Sequence, residues 1–520
     1  MADPAVHSAQ AAPELAPAGS AATLPSIEPA STDEAANRLA DDLGMHDVVA
    51  GRRRLEPAEA LRLLNEAPLP ALGRWATAMA ERIHGPIGSP RTYVIDRNIN
   101  YTNVCSAHCT FCAFRRDETD HDAYVLTRDQ LRAKVQELVD VGGTQVLLQG
   151  GMHPRLGLDF YLDMLRGLKQ DFPQVHLHAF SPPEVVEFVA VLDLPGHPTT
   201  EPNQSHTLAH DAWIAKLTAV LSTLRDAGLA SIPGGGGEIF GHHVRRRIGL
   251  GKATAQQWLD VLRVAHRVGL NTSTTMMFGH IEGLADRIDH MARVRDLQDE
   301  ALGENRPGRV MAFISWPFQP DHTPLGDLPR FDPDHPDAVA GQSRFPGDVL
   351  AEAVFEGRVD PFDKKQCGQC APRAGKVLRL AGAAEYLRTQ AVSRLFLDNV
   401  HSIGASWVTM GPRIGQLGLR FGASDMGSVM MEENVVSAAG TTYCLDEAML
   451  CRLIRDAGYL PAQRDNAYRI LKTHPAGDPA SPDLAVEDWS TLRPGKADQA
   501  PTEAPAVALT VGVSAESPQA

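Results

Sequence analysis

Long apolar runs are missing from this chain. The longest, 273–278 and 310–316, fall far short of the roughly twenty residues that cross a bilayer, so no transmembrane segment is expected. Basic residues are in deficit as well. Lys and Arg number 49 against 64 Asp and Glu, a formal charge of -15, which opposes attraction to nucleic-acid phosphates or anionic lipid. Neither partner is expected. Cysteine is scarce, with seven in 520 residues, and the odd count speaks against a disulfide framework. Cys105, Cys109 and Cys112 fall together, which points to metal chemistry under reducing conditions. Residues 1–30 have no basic start followed by an apolar core, so they do not read as a secretory signal, and a cytoplasmic location is expected.

What is present is ample material for a core, at 43% hydrophobic and 22% charged residues. From Arg91 onward, short β-rich runs alternate with amphipathic helices. Strands are predicted at 93–100, 144–149, 176–180, 229–232, 271–277, 310–316, 405–410 and 419–421. Helices are predicted at 128–141, 159–169, 211–227, 255–268, 285–299 and 377–397. This α/β alternation implies a parallel sheet, and its count suggests a closed (β/α)8 TIM-type barrel, with a doubly wound open sheet as the competing arrangement. The expected organisation is a disordered N-terminal tail over 1–45, a helical cap over 46–90 and a barrel core over 91–320. Loop insertions at about 194–209 and at 321–376, a closing part over 377–475 and a disordered C-terminal tail over 476–520 complete it.

The triplet Cys105-x3-Cys109-x2-Cys112 follows the first predicted strand, where barrel active sites lie. Three thiolates hold three irons of a [4Fe-4S] cubane and leave the fourth open, whereas electron-transfer clusters take four. Gly150, Gly151 and Pro154 follow the second strand and Ser181 the third, each at the same rim. The run Gly234–Gly237 lets the main chain approach a ligand closely and ends in Glu238, which has the chemistry of a base or a ribose acceptor. His280 and Glu282 follow the fifth strand and are further candidate bases, with structural hydrogen bonding as the alternative for the histidine. Trp316 and Phe318 offer aromatic surface to a substrate pocket, or pack the core. Cys367 and Cys370 have the spacing of a zinc knuckle or of half a second cluster, but two ligands are too few. Cys444 and Cys451 complete such a site only if the fold gathers them; otherwise a disulfide or a solvent-exposed thiol pair is expected.

The cysteine spacing resembles that of the radical S-adenosylmethionine (SAM) superfamily. The segments Asn98 to Phe114, Gln149 to Pro154, Phe180 to Glu184, Gly279 to Glu282, Phe313 to Pro320 and Arg420 to Gly440 are similar to the branch holding the futalosine-pathway menaquinone enzymes and the deazaflavin synthases. Within it, the chain most resembles the cyclases that act on dehypoxanthine futalosine. The resemblance implies SAM bound at the open iron, Gly150, Gly151 and Pro154 beside its methionine ammonium, and Phe111 over its adenine. Ser181 and His280 are implied near the cofactor. Reductive SAM cleavage would release a 5'-deoxyadenosyl radical that removes a hydrogen from the ribose-derived part of the substrate. The carbon radical then adds to the benzoate ring, and loss of an electron and a proton restores aromaticity. A reduced flavodoxin or ferredoxin is implied as electron donor. Arg413 or Arg420 is the expected cation for the substrate carboxylate, and Glu238, Glu282 or Glu433 the expected base. The chain departs from the family in its tails, its insertions and its four-glycine run. Competing readings are aminofutalosine synthase, a deazaflavin synthase half and, outside catalysis, an iron-sulfur carrier or scaffold.

Overall fold

Two strands, β1 (Pro90–Val94) and β2 (Asp96–Ile99), are one extended run interrupted only at Ile95, and the sheet closes on that run. The structure is a computed structural model that describes residues 30–334, 343–441 and 443–482. The sheet continues through β3 (Gln145–Leu148), β4 (His176–Ala179), β5 (Ser231–Ile232), β6 (Asn271–Phe278), β7 (Val310–Pro317), β8 (Ser402–Gly404) and β9 (Asp425–Ser428). Each pairs in parallel with the next. At the ends, β2 pairs with β3 from Asp96 opposite Gln145 to Ile99 opposite Leu148, and β1 pairs with β9 at Thr92 opposite Asp425. With β1 and β2 counted as one strand, eight parallel strands form the ring that the alternation implied.

Helices cover the outside because their apolar positions recur on one face. Ala255–Arg267, for example, turns Trp258, Leu259, Val261, Leu262 and Val264 inward. Its start is fixed by a capping box in which Thr254 and Gln257 satisfy each other's backbone N–H groups, and Thr127 with Gln130 does the same for Arg128–Asp140. The cap helices Pro57–Glu66 and Leu69–His84 divide at Pro68 and pack on Leu284–Gly303 and Ala383–Phe396.

Several expectations need correction. Residues expected to belong to the N-terminal tail through 45 include the helix Ala30–Asp42 and the start of Met45–Val49, and 476–482 of the expected C-terminal tail are turns; 1–29 and the stretch from 483 lie outside the described residues. The strand predicted at 405–410 is instead the helical turn Trp407–Met410, and 419–421 is a turn. The true strands, β8 and β9, carry Gly404, Asp425, Gly427 and Ser428, residues with low strand propensity that neighbouring strands hold extended. The stretch 321–376, expected as a loop, contains Pro346–Phe355 and Lys364–Cys370 in its described part, around a small separate core of Leu350, Cys367, Ala371 and Ala374.

One feature had no sequence signal. A hairpin of β10 (Leu460–Arg464) and β11 (Ile470–Thr473) lies beside β1, with Pro90 opposite Leu460 and Tyr93 opposite Gln463. Its turn delivers Arg464, Asn466 and Tyr468 to the interior of the ring.

Candidate active site

A barrel of this kind normally fills its interior with branched apolar side chains. Here the inward positions of β2 and β3 include Asp96, Asn98 and Gln145, and the ring encloses a cavity of about 480 Å³ that reaches from the cysteine loop down to the hairpin.

Cys105, Cys109 and Cys112 all border this cavity. Their loop is fixed from three sides. Cys109 pairs across a two-residue ribbon with Gly249, the Cys105 N–H donates to the Arg116 carbonyl at 3.1 Å, and the Thr110 N–H donates to Ile248 at 2.9 Å. The Met152 N–H lies 3.3 Å from the Cys105 sulfur. Burial pushes the free Cys109 thiol up to about 12 while the Lys252 ammonium pulls the other way, and burial also raises Cys105. A thiol that coordinates metal is deprotonated outright, so these values describe the free thiols alone. Among the described residues, no three His, Cys, Asp or Glu side chains share a single-ion site. A cubane makes a different demand, since each cysteine takes its own iron. The other four cysteines stand off the cavity, so the donor set fits a cluster held at three corners.

Gly150 and Gly151 also border the cavity, but their lack of a side chain serves the cysteine loop. A Cβ on Gly151 would sit 2.0 Å from the Val104 carbonyl oxygen and 2.9 Å from the Cys105 Cβ, and one on Gly150 would meet the Tyr101 ring at 2.5 Å. Pro154 lies outside the lining. Ser181 lines it and caps Pro182–Val191, its hydroxyl donating to Glu184 at 2.6 Å. Glu184 carries no sequence signal as a site residue, yet its buried carboxylate also accepts from Tyr101 at 2.7 Å and from the Gly150 N–H at 2.9 Å. It ties the glycine turn to the next helix.

The four-glycine run is packed, not flexible. Arg245 donates to the Gly236 and Gly237 carbonyls, Trp258 donates to Gly235, and a Cβ on Gly234 would lie 2.5 Å from Thr274 Cα. Glu238 faces the cavity 3.0 Å from Lys252, whose ammonium stands 4.8 Å from the centre of the Phe111 ring. Lys252 therefore sits among Glu238, Phe111 and the Cys109 thiol, a position nothing in its sequence context announced. Glu433 lines the cavity too. It accepts from Asn98 at 3.0 Å and from the Val435 and Val436 N–H groups at 2.8 Å each, and burial raises its pKa.

His280 and Glu282 do not reach the cavity. Both are fully enclosed, and Glu282 accepts from the Gly279 and His280 N–H groups and from Arg287 at 2.7 Å. Burial pushes the Glu282 carboxyl up, but His280, Arg287 and those N–H groups outweigh it and bring it down to about 2. That carboxylate is committed to the fold. Arg413 is exposed and Arg420 stands near Tyr459, so neither meets a ligand in the cavity. Trp316 lines it, whereas Phe318 packs in the core.

At the floor, Arg464 grips Asp425 through two bonds, of 2.5 and 2.9 Å. Asp96 accepts from Ser428 and, at 3.0 Å, from Gln145, and burial pushes its carboxyl up to about 6.

Residues 99–294 match the model of the radical SAM superfamily. Residues 361–476 match the CofH/MqnC C-terminal region. The chain is 34% identical over 446 residues to cyclic dehypoxanthine futalosine synthase of Halalkalibacterium halodurans, covering 86% of this chain and 99% of the relative. The chain belongs to the radical SAM superfamily. Aminodeoxyfutalosine synthase of Thermus thermophilus is 33% identical, over 81% of this chain and 93% of the relative. A 5-amino-6-(D-ribitylamino)uracil–L-tyrosine 4-hydroxyphenyl transferase of Nostoc is 32% identical, over 80% and 91%. The fold is similar to that of the hydrogenase maturase HydG from Carboxydothermus hydrogenoformans, with a TM-score of 0.54 at 14% identity over 85% of this chain and 83% of that one. This radical SAM enzyme thus stands in the branch of the futalosine enzymes, and its cofactors are a [4Fe-4S] cluster and SAM. Among the described residues, no helix is long and apolar enough to cross a membrane.

Proposed function

We propose that this enzyme cyclises dehypoxanthine futalosine in menaquinone biosynthesis. The observation that carries the reading is the 34% identity to a synthase of that name over 99% of the relative's length. Bound together in the cavity, cluster and SAM supply a 5'-deoxyadenosyl radical able to remove a hydrogen from an unactivated carbon.

The remaining tasks belong to this chain's own residues. Cys105, Cys109 and Cys112 hold the cluster, Gly150 and Gly151 let their loop close down, and Phe111 and Ser181 border the space beside it. The carboxylate of the substrate needs a cation. Arg464 is held at all three of its nitrogens by Asp425 and the Asp465 carbonyl, and Lys252 is paired with Glu238. Arg115 lines the cavity and uses Nε on the Cys105 carbonyl and Nη2 on Asp117, which leaves Nη1 without a partner among the described residues. We assign Arg115 to the substrate carboxylate in place of Arg413 and Arg420. With Glu282 committed elsewhere, Glu238 and Glu433 are the two candidate bases that face the cavity. A reduced flavodoxin or ferredoxin is the proposed electron donor.

The test is anaerobic reconstitution with dehypoxanthine futalosine, SAM and dithionite, read by mass spectrometry. The expected result is a product lighter than its substrate by two hydrogens, with one free 5'-deoxyadenosine per turnover. Alanine at Cys105, Cys109 or Cys112 should abolish both, whereas Cys367→Ala should retain them, because Cys367 is buried in the separate core. In a parallel reaction given an enolpyruvyl benzoate in place of dehypoxanthine futalosine, a product that keeps the adenosyl group, with no free 5'-deoxyadenosine, would assign the chain to aminofutalosine synthesis instead. In a third reaction given tyrosine and 5-amino-6-(D-ribitylamino)uracil, a tyrosine-derived adduct would assign it to the transferase.

A further inference from the structure

Three successive inward positions on the first strand and its extension are polar: Asp96, Asn98 and Asn100. Two of them are satisfied. Asp96 accepts at both oxygens, from Ser428 and Gln145. Asn100 donates to the Gln149 carbonyl at 3.0 Å and accepts from Asn434 at 3.2 Å. Asn98 differs. Its amide nitrogen donates to Glu433, but its carbonyl oxygen, on a residue only 4% exposed, has no hydrogen-bond partner.

A buried acceptor without a donor destabilises the fold, so such an atom on a residue that lines a binding cavity marks a place where a ligand donates. Glu433 makes this orientation firm. Its other oxygen is held by two backbone N–H groups, so the carboxylate stays in place and fixes which way the Asn98 amide turns. What remains on offer is an acceptor alone. It suits a hydroxyl and repels a carboxylate, which has no proton to give.

We infer that the Asn98 carbonyl receives a hydroxyl from the sugar-derived half of the substrate, so that this half lies along β2 and the carboxylate end points away. The inference rests on the substrate reading proposed above. A sugar hydroxyl is also carried by SAM, and the experiment separates the two sources.

The measurement uses the reconstituted holoenzyme and compares the affinity of wild type and Asn98→Leu for dehypoxanthine futalosine and for each of its monodeoxy analogues. Wild type should bind one monodeoxy analogue at least about tenfold more weakly than the parent. Asn98→Leu should bind the parent about tenfold more weakly and lose that discrimination, with SAM affinity and iron content unchanged. Asn98→Asp keeps an acceptor and should retain the discrimination, which covers the case in which the leucine variant does not fold. Unchanged discrimination in Asn98→Leu, its loss in Asn98→Asp, or weakened SAM binding measured without substrate would overturn the assignment. If wild type binds neither the parent nor any analogue, the substrate reading itself fails and takes the assignment with it.

Discussion

Glu282 shows how one carboxylate can be buried without serving the chemistry. Removing its charge would leave Arg287 enclosed with a single remaining acidic partner, Glu385, 2.6 Å away. Breaking a buried pair in this way costs about 3 kcal/mol or more, so Glu282→Gln should lower the denaturation midpoint markedly. The pH dependence follows from the depressed pKa. Stabilisation by Glu282 is complete above its ordinary value of 4.5 and is lost as pH falls through about 2. Wild type should therefore lose more stability than Glu282→Gln between pH 5 and pH 2 in denaturant titrations. Residue type and position after a strand suggested a catalytic base here. The tertiary structure shows the side chain turned away from the cavity, a direction that no local pattern encodes.

At the scale of elements, the turn after β3 and the cysteine loop are fitted to each other. Gly151→Ala would drive a methyl group against the Val104 carbonyl, a backbone atom that cannot swing aside as a side chain does. The expected outcome is a displaced loop, seen as lower iron content after reconstitution with little change in secondary structure. Most elements were legible in the sequence because their signals are local. The helix at 255–268 follows from its apolar repeat and Thr254 cap, and β6 and β7 from β-branched and aromatic runs. Four strands were not: the hairpin pair β10 and β11, and the barrel strands β8 and β9. Gly404 in β8 and Asp425 with Gly427 in β9 read as loop, and only pairing with β7 and β1 makes those residues extended. Likewise, the four glycines before Glu238 read as a main chain open to close approach by a ligand, whereas Arg245 and Trp258 hold their carbonyls.

At the scale of the whole molecule, the C-terminal hairpin completes the cavity that the barrel leaves open. Arg464 and Asp425 are almost fully buried, with side chains 7% and 2% exposed. Replacing Arg464 with Leu leaves the Asp425 charge unpaired in the interior, a loss of about 3–5 kcal/mol. Arg464→Leu should therefore shift the unfolding midpoint strongly, and Arg464→Leu combined with Asp425→Asn should recover part of the loss, which a double-mutant cycle would measure.

By itself, the sequence determined the alternating α/β architecture and the placing of Cys105, Cys109 and Cys112 on one short loop, because periodicity and residue spacing are properties of neighbouring residues. Tertiary structure alone decided which polar side chains face the cavity: Lys252, Arg115 and Asn98 do, and Glu282, Arg413 and Arg420 do not. Facing a common space is a relation among strands that lie far apart in the chain, and it is fixed only when the ring closes.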